Sequence, residues 1–201
     1  MKSDSLSRGS IIYSIVLIML ISVSCSVAIT TEATPTIVPT STPERLMLIG
    51  GEIDPCLLIN SEEVETVLGV KVSSEKIFLD YMPSCKYFST TNNQPVLLFV
   101  SAVTDVSIKK ADQPWLKEGN VPISAMEAYE RERMIMLMRS EFYKFKDLDN
   151  LGDQAFLYGT ISSVISVLRN NIFYQFTGRT DHGVDHDTLL KLIRIGLERM
   201  P

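Results

Sequence analysis

Both histidines of the chain fall in one short stretch, Asp181-His182-Gly183-Val184-Asp185-His186-Asp187, interleaved with carboxylates. Imidazoles and carboxylates ligate zinc and other divalent ions, so metal chemistry would sit at His182 and His186. Gly183 puts His182 ahead of the helix that follows, so the two imidazoles need not share a face, and no third ligand group stands nearby. The expected role of the stretch is a polar turn in which Asp185 or Asp187 caps the last helix and suits its dipole. Met134, Met136 and Met138 could bind a soft metal. Alternate positions point to different sides of a helix, however, and a core helix rich in flexible side chains is expected.

The remaining candidates carry less chemistry. Glu127, Glu130, Arg131, Glu132 and Arg133 are expected to form a solvated helix face with i,i+3 and i,i+4 ion pairs. Leu151-Gly152-Asp153 has one glycine and no Lys-Ser/Thr behind it, so it is no phosphate cradle. It is expected to be a tight turn into a strand at Ala155, with Asp153 bonding local amides. Trp115, the only tryptophan, lies in the polar loop Asp112-Gln113-Pro114-Trp115, either as a binding anchor or packed against a sheet. No G-x-S-x-G elbow occurs, and neither histidine stands beside an evident nucleophile. No catalytic residue is assigned and no cofactor is expected.

The cysteines divide into one and two. Lys2 and Arg8 precede the apolar run Ile11 to Val23, and Ser22-Val23-Ser24-Cys25 follows at its end. A basic segment, a short apolar block and a small-residue exit have the form of a secretory signal peptide. Small residues before a cysteine at that point resemble the lipobox of bacterial lipoproteins, although Ser22 stands where a leucine is usual. That resemblance implies residues 1–24 as a lipoprotein signal peptide and Cys25 as the lipidated (diacylglyceryl and palmitate-bearing) mature N-terminus. An uncleaved anchor over Ser10 to Ile29 and a plain cleaved signal remain open beside it. Residues 25–43 hold Thr30 to Pro43, a Thr/Pro-rich segment without hydrophobic periodicity, expected to be a semi-extended stalk. In residues 44–201 the pair Cys56 and Cys85 is expected to form a disulfide, since an extracytoplasmic compartment oxidises thiols.

The elements that position these residues follow from periodicity and caps. Asn60-Ser61-Glu62-Glu63 predicts a capping box, Val64, Val67 and Leu68 a helical face, and Gly69 its stop. Val70 to Leu79, Lys86 to Thr90 and Val96 to Thr104 are β-rich. Ser124-Ala-Met-Glu127 predicts a second capping box opening a helix to about Arg139. Phe142 to Phe145, Ala155 to Tyr158, Ser162 to Leu168 and Ile172 to Thr177 predict further strands, with Arg169-Asn170-Asn171 as a hairpin turn. A last helix from about Asp187 to Arg199 is expected to bury Leu189, Leu192, Ile193 and Leu197. Helices at both ends and in the middle, with strand groups between, predict a single α+β domain with an antiparallel sheet packed by helices.

Asp54-Pro55-Cys56-Leu57-Leu58, Glu62-Glu63-Val64, Leu68-Gly69, Cys85-Lys86-Tyr87 and Leu151-Gly152-Asp153-Gln154-Ala155-Phe156 occur in that order. This order resembles the small mycobacterial lipoproteins of the Lpq/Lpp type, over Glu52 to about Pro201. Tyr87 stands where that family has Trp. The resemblance implies an extracytoplasmic lipoprotein with a Cys56–Cys85 bridge and assigns no reaction. The element order is also similar to a PsbP/Mog1-like α/β/α sandwich, an analogy of fold alone.

From Glu44 on, the chain has 17 Lys+Arg and 22 Asp+Glu, a mildly acidic balance. It shows no basic stripe for nucleic acid and no evident attraction to anionic lipid. The expected function is a membrane-anchored accessory module at the extracytoplasmic face of the cell membrane. Its partners would be the membrane through the lipid anchor, a small apolar ligand or an envelope protein, and no nucleic acid. The enzyme alternative is a metal-assisted hydrolase using His182, His186 and neighbouring acids. A third reading is a passive structural protein of the envelope.

Overall fold

The computed structural model describes residues 50–91, 96–111 and 121–201. The expected signal peptide and stalk over residues 1–43, Cys25 and Trp115 therefore lie outside the described residues.

The first helix, α1 (Ser61–Leu68), starts where the sequence directs it. The Asn60 side chain accepts from the Glu63 amide, and the Glu63 carboxylate accepts from the Asn60 amide, each at 2.9 Å. Gly69, at φ 69°, closes the helix in the left-handed conformation that glycine adopts without a Cβ clash. Strands β1 (Val72–Leu79), β2 (Met82–Ser89) and β3 (Val96–Val103) follow as an antiparallel meander. Helices α2 (Asp105–Lys110) and α3 (Ala125–Met138) come next. Strands β4 (Lys146–Asp147), β5 (Gln154–Gly159), β6 (Ser162–Arg169) and β7 (Ile172–Arg179) complete the sheet, and α4 (His186–Leu197) ends the fold. Strand β7 pairs with β3, so the seven strands run β1-β2-β3-β7-β6-β5-β4 with every pair antiparallel. The fold is α+β with a seven-stranded antiparallel sheet packed by helices.

Alternation along the strands sends successive side chains to two separate cores. In β6, Ile165 and Val167 join Leu58, Val64, Leu189 and Ile193, which belong to the layer of α1 and α4. Val164 and Leu168 instead join Ile108, Ala125 and Tyr129, from α2 and α3. The sheet thus carries helices on both faces. At two asparagines, Asn170 (φ 50°) and Asn171 (φ 58°), the β6–β7 hairpin takes the doubly left-handed turn whose twist matches its strands. Cys56 and Cys85 are disulfide-bonded, with Cα atoms 4.9 Å apart, joining the segment before α1 to β2.

Several expectations are corrected. Phe142 to Phe145 is not a strand: the Arg139 carbonyl accepts from the Phe142 and Tyr143 amides, which coils the chain past the end of α3. The strand shifts to Lys146–Asp147, paired with Leu157 and Phe156. Ser124 accepts from the Glu127 amide, but the Glu127 carboxylate takes the Ile123 amide instead of returning to Ser124, so the box is half closed. Helix α2 lies outside the expected elements, although Thr104 and Ser107 cap each other there as a box of hydroxyls.

Candidate functional site

Helix α3 lies on the sheet through Ala125, Ala128 and Tyr129, all buried. At its C-terminal half the burial stops. Met134 is 63% and Met138 72% exposed, Leu137 is 48% exposed, and Met136 alone of the three methionines turns inward and is half-buried. The core-helix expectation for these methionines is therefore wrong for two of them. The reason is geometric: Met134-Ile135-Met136-Leu137-Met138 is apolar all round, and one helix face packed on a sheet cannot bury every position.

Between this end of α3 and the β5–β6 hairpin lies a cleft of about 290 Å³. Its walls are Met136, Tyr143, Tyr158, Val164 and the turn Gly159-Thr160-Ile161-Ser162. The turn is held by Gly159 at φ 131°, where an added Cβ would lie 1.8 Å from the Ser162 carbonyl oxygen. No other residue type fits there, and Ile161 in the same turn is 69% exposed at the cleft rim. Tyr143 meets Tyr158 edge-on with ring centroids 6.4 Å apart. Phe142, 75% exposed, continues the rim beyond the end of α3. An apolar hollow of this size, bordered by exposed apolar side chains, is the kind of surface that marks ligand or partner contact.

One wall residue of the cleft, Tyr158, has polar partners. The Tyr158 hydroxyl donates to the Glu132 carboxylate, and Gln175 Nε2 reaches the same carboxylate oxygen at 3.3 Å. Glu132 is thus turned into the molecule, contrary to the expected solvated face, while Arg131 pairs with Glu127 at i,i+4 and Arg133 with Asp147. Burial raises the Tyr158 phenol far above its ordinary value, and the charge and hydrogen bond of Glu132 raise it further. Burial likewise pushes Tyr129 up to about 12. The polar row continues across the sheet from Gln175 to its register partners Ser101 and Ser166, and Ser101 shares a 2.7 Å hydrogen bond with Ser84.

The other sequence candidates are mostly architectural. Asp54 accepts from the Cys56 amide at 3.0 Å and pairs with Lys76 at 2.9 Å, while Pro55 is buried at the start of a short 3-10 turn. Leu151 is buried and Gly152 sits at φ 67° against the Leu168 carbonyl. Asp153 bonds no neighbouring amide with its side chain. It accepts from the Asn170 amide at 2.8 Å and so closes the distant β6–β7 turn. Tyr87 is fully buried and donates to the Ile59 carbonyl. A second depression, about 430 Å³ at the end of α1, is bordered by Glu62, Glu65 and Lys71, and the last two pair with each other at 2.6 Å.

His182 lies in a 3-10 turn (Thr180–His182) with its Nε2 3.8 Å from Asp181, whose carboxylate is taken by Arg179. His186 is the first residue of α4, capped by Asp185 accepting from the Thr188 amide at 2.9 Å. Among the described residues no three His, Cys, Asp or Glu side chains come together as a metal-binding group. The cleft residues escaped sequence reasoning, yet two signals pointed to them: five consecutive apolar residues in a helix, and an isoleucine inside a Gly-Thr-Ile-Ser turn. No protein-family description matches this chain, and no curated protein or solved structure matches it.

Proposed function

We propose that the chain is a lipid-anchored extracytoplasmic binding module whose α3–hairpin cleft takes a small apolar ligand. The observation that carries the binding reading is the cleft itself, with Met136, Tyr143 and Ile161 as an apolar lining and Tyr158, whose hydroxyl donates to Glu132, in its wall. Tyr158 donates inward to a carboxylate, so the cleft offers an anionic head group no cation among its lining residues. A neutral ligand suits it best. The anchor reading rests on Lys2, Arg8, the apolar run and Ser22-Val23-Ser24-Cys25, and the Cys56–Cys85 bond is consistent with an oxidising compartment. The order of motifs, resembling the small mycobacterial lipoproteins, supports the same address.

The test is metabolic labelling with radioactive palmitate followed by detergent phase partition. The wild-type chain is labelled and enters the detergent phase. The Cys25→Ala chain loses the label. Equal labelling of both chains, or none in either, rejects the anchor.

A further inference from the structure

An unfinished rung of the sheet edge lies in the cleft. Strand β4 pairs with β5 at only two positions, Lys146 with Leu157 and Asp147 with Phe156. The Leu148 amide donates to the Ala155 carbonyl at 2.9 Å, so the odd-numbered residues of β5 face β4 with their backbone groups. Residues of an antiparallel strand alternate in this respect, and Tyr158 therefore turns its carbonyl to β6. The N–H of Gly159 belongs to the same trans peptide group and points the opposite way, off the outer edge of β5.

Neither neighbouring strand supplies an acceptor. The Ile161 carbonyl accepts from the Thr180 amide at 3.1 Å, so the odd-numbered residues of β6 turn to β7. Ser163, the register partner of Gly159, is one of them, and the pair exchanges no ladder bond. Continuing the β4 register would set Lys144 opposite Gly159. The Arg139 carbonyl, however, takes the Phe142 and Tyr143 amides and keeps that segment coiled. Among the described residues no group accepts from the Gly159 amide. Gly159 is nonetheless buried, and it lines the cleft.

A buried backbone N–H without an acceptor is rare, because burial removes the water that would otherwise pair with it. In a continued ladder the acceptor would be a strand carbonyl lying in line with the N–H. Met136, Tyr143, Ile161 and Val164 make the surrounding walls apolar, and no cation stands among the lining residues. The Tyr158 hydroxyl does not compete for an acceptor, since it already donates to Glu132.

We propose that the cleft selects an uncharged apolar compound bearing a carbonyl group (an ester, amide or ketone), whose oxygen accepts from the Gly159 amide. This inference rests on the binding function proposed for the cleft and names the chemistry of its ligand. The apolar walls hold the body of the ligand, and the Gly159 N–H determines specificity for the carbonyl.

The test titrates the full chain with a propionyl-dimethylaminonaphthalene and with its propyl analogue, in which a methylene replaces the carbonyl. Amide NMR of the chain labelled at glycine nitrogen and tyrosine carbonyl carbon isolates Gly159, because Tyr158-Gly159 is the only Tyr-Gly pair in the sequence. The expected result is saturable binding of the propionyl probe about tenfold tighter than the propyl analogue, the weight of one hydrogen bond to a buried donor. With the propionyl probe alone, the Gly159 amide proton moves downfield and its exchange with solvent slows. Equal affinity for the two probes, or a Gly159 amide that answers to neither or to both alike, overturns the carbonyl assignment and leaves the cleft as a binding site. Saturable binding of neither probe overturns the assignment and the binding function together.

Discussion

The Glu132–Tyr158–Gln175 cluster joins α3 to β5 and β7 and holds Tyr158, a wall residue of the cleft, and its energetics can be worked from its bonds. Glu132→Ala removes the acceptor of the Tyr158 hydroxyl and of Gln175 Nε2 together. Tyr158 is 8% exposed, so its hydroxyl loses a partner where water replaces it poorly. An orphaned buried donor costs ~1–3 kcal/mol, and the half-buried Gln175 less, so the variant should lose about 2–3 kcal/mol of stability. Tyr158→Phe removes one donor and leaves the half-buried carboxylate with Gln175, at a cost of about 1–2 kcal/mol. The two losses share one hydrogen bond, so the double variant should fall short of their sum by about 1 kcal/mol. Urea unfolding of the four proteins at neutral pH, followed by circular dichroism with the disulfide intact, measures the cycle. Additivity to within about 0.3 kcal/mol, with unchanged m-values, refutes the claim that this pair couples helix to sheet.

Three further outcomes test the scaffold. Gly152→Ala adds a Cβ 2.6 Å from the Leu168 carbonyl oxygen at φ 67° and should cost about 2–4 kcal/mol in thermal unfolding, whereas Gly183→Ala, at φ 81° with no atom within 4 Å, should cost only about 1 kcal/mol. Replacing Cys56 and Cys85 together by serine opens a loop with a sequence separation of 29 and should cost roughly 3.5 kcal/mol in chain entropy, read as a lower urea midpoint. For Glu63, burial pushes the carboxyl up, but the hydrogen bonds from Arg199 and the Asn60 amide and the charge of Arg199 outweigh it, so the folded value lies below the ordinary 4.5. A depressed carboxyl stabilises the fold above its unfolded value, and that contribution disappears as pH falls through the folded one. The melting temperature should therefore drop below about pH 4.5, and Glu63→Gln should lower it at pH 7 while shallowing the acid limb.

What the sequence reveals is set by how local the determinants are. The Asn60–Glu63 box, the Gly69 stop and the Asn170-Asn171 turn are decided within a few residues, and each stands where the chain announces it. The Phe142 to Phe145 segment has strand composition, but the end of α3 claims its amides, a competition visible only once the helix has formed. Asp153 illustrates the same limit, since its partner lies 17 residues away in a turn that β5–β6–β7 pairing brings beside it. Glu132 stands in a charged run and reads as solvated. Its inward turn depends on Tyr158 and Gln175, which reach it only through the sheet order. The cleft is the least legible feature, because the exposure of Met134 and Met138 depends on which face of α3 packs on the sheet.

The central claim is that this cleft binds a neutral apolar molecule, and a fluorescence titration with N-phenylnaphthylamine tests it most directly. At ~0.3 kcal/mol per non-hydrogen atom, its about 17 atoms give roughly 5 kcal/mol, a Kd on the order of 0.2 mM. The account predicts saturable binding of one probe per chain, weakened at least tenfold by Ile161→Asp with no change in the circular dichroism spectrum. Binding that Ile161→Asp leaves unchanged, or no saturable binding at all, contradicts it.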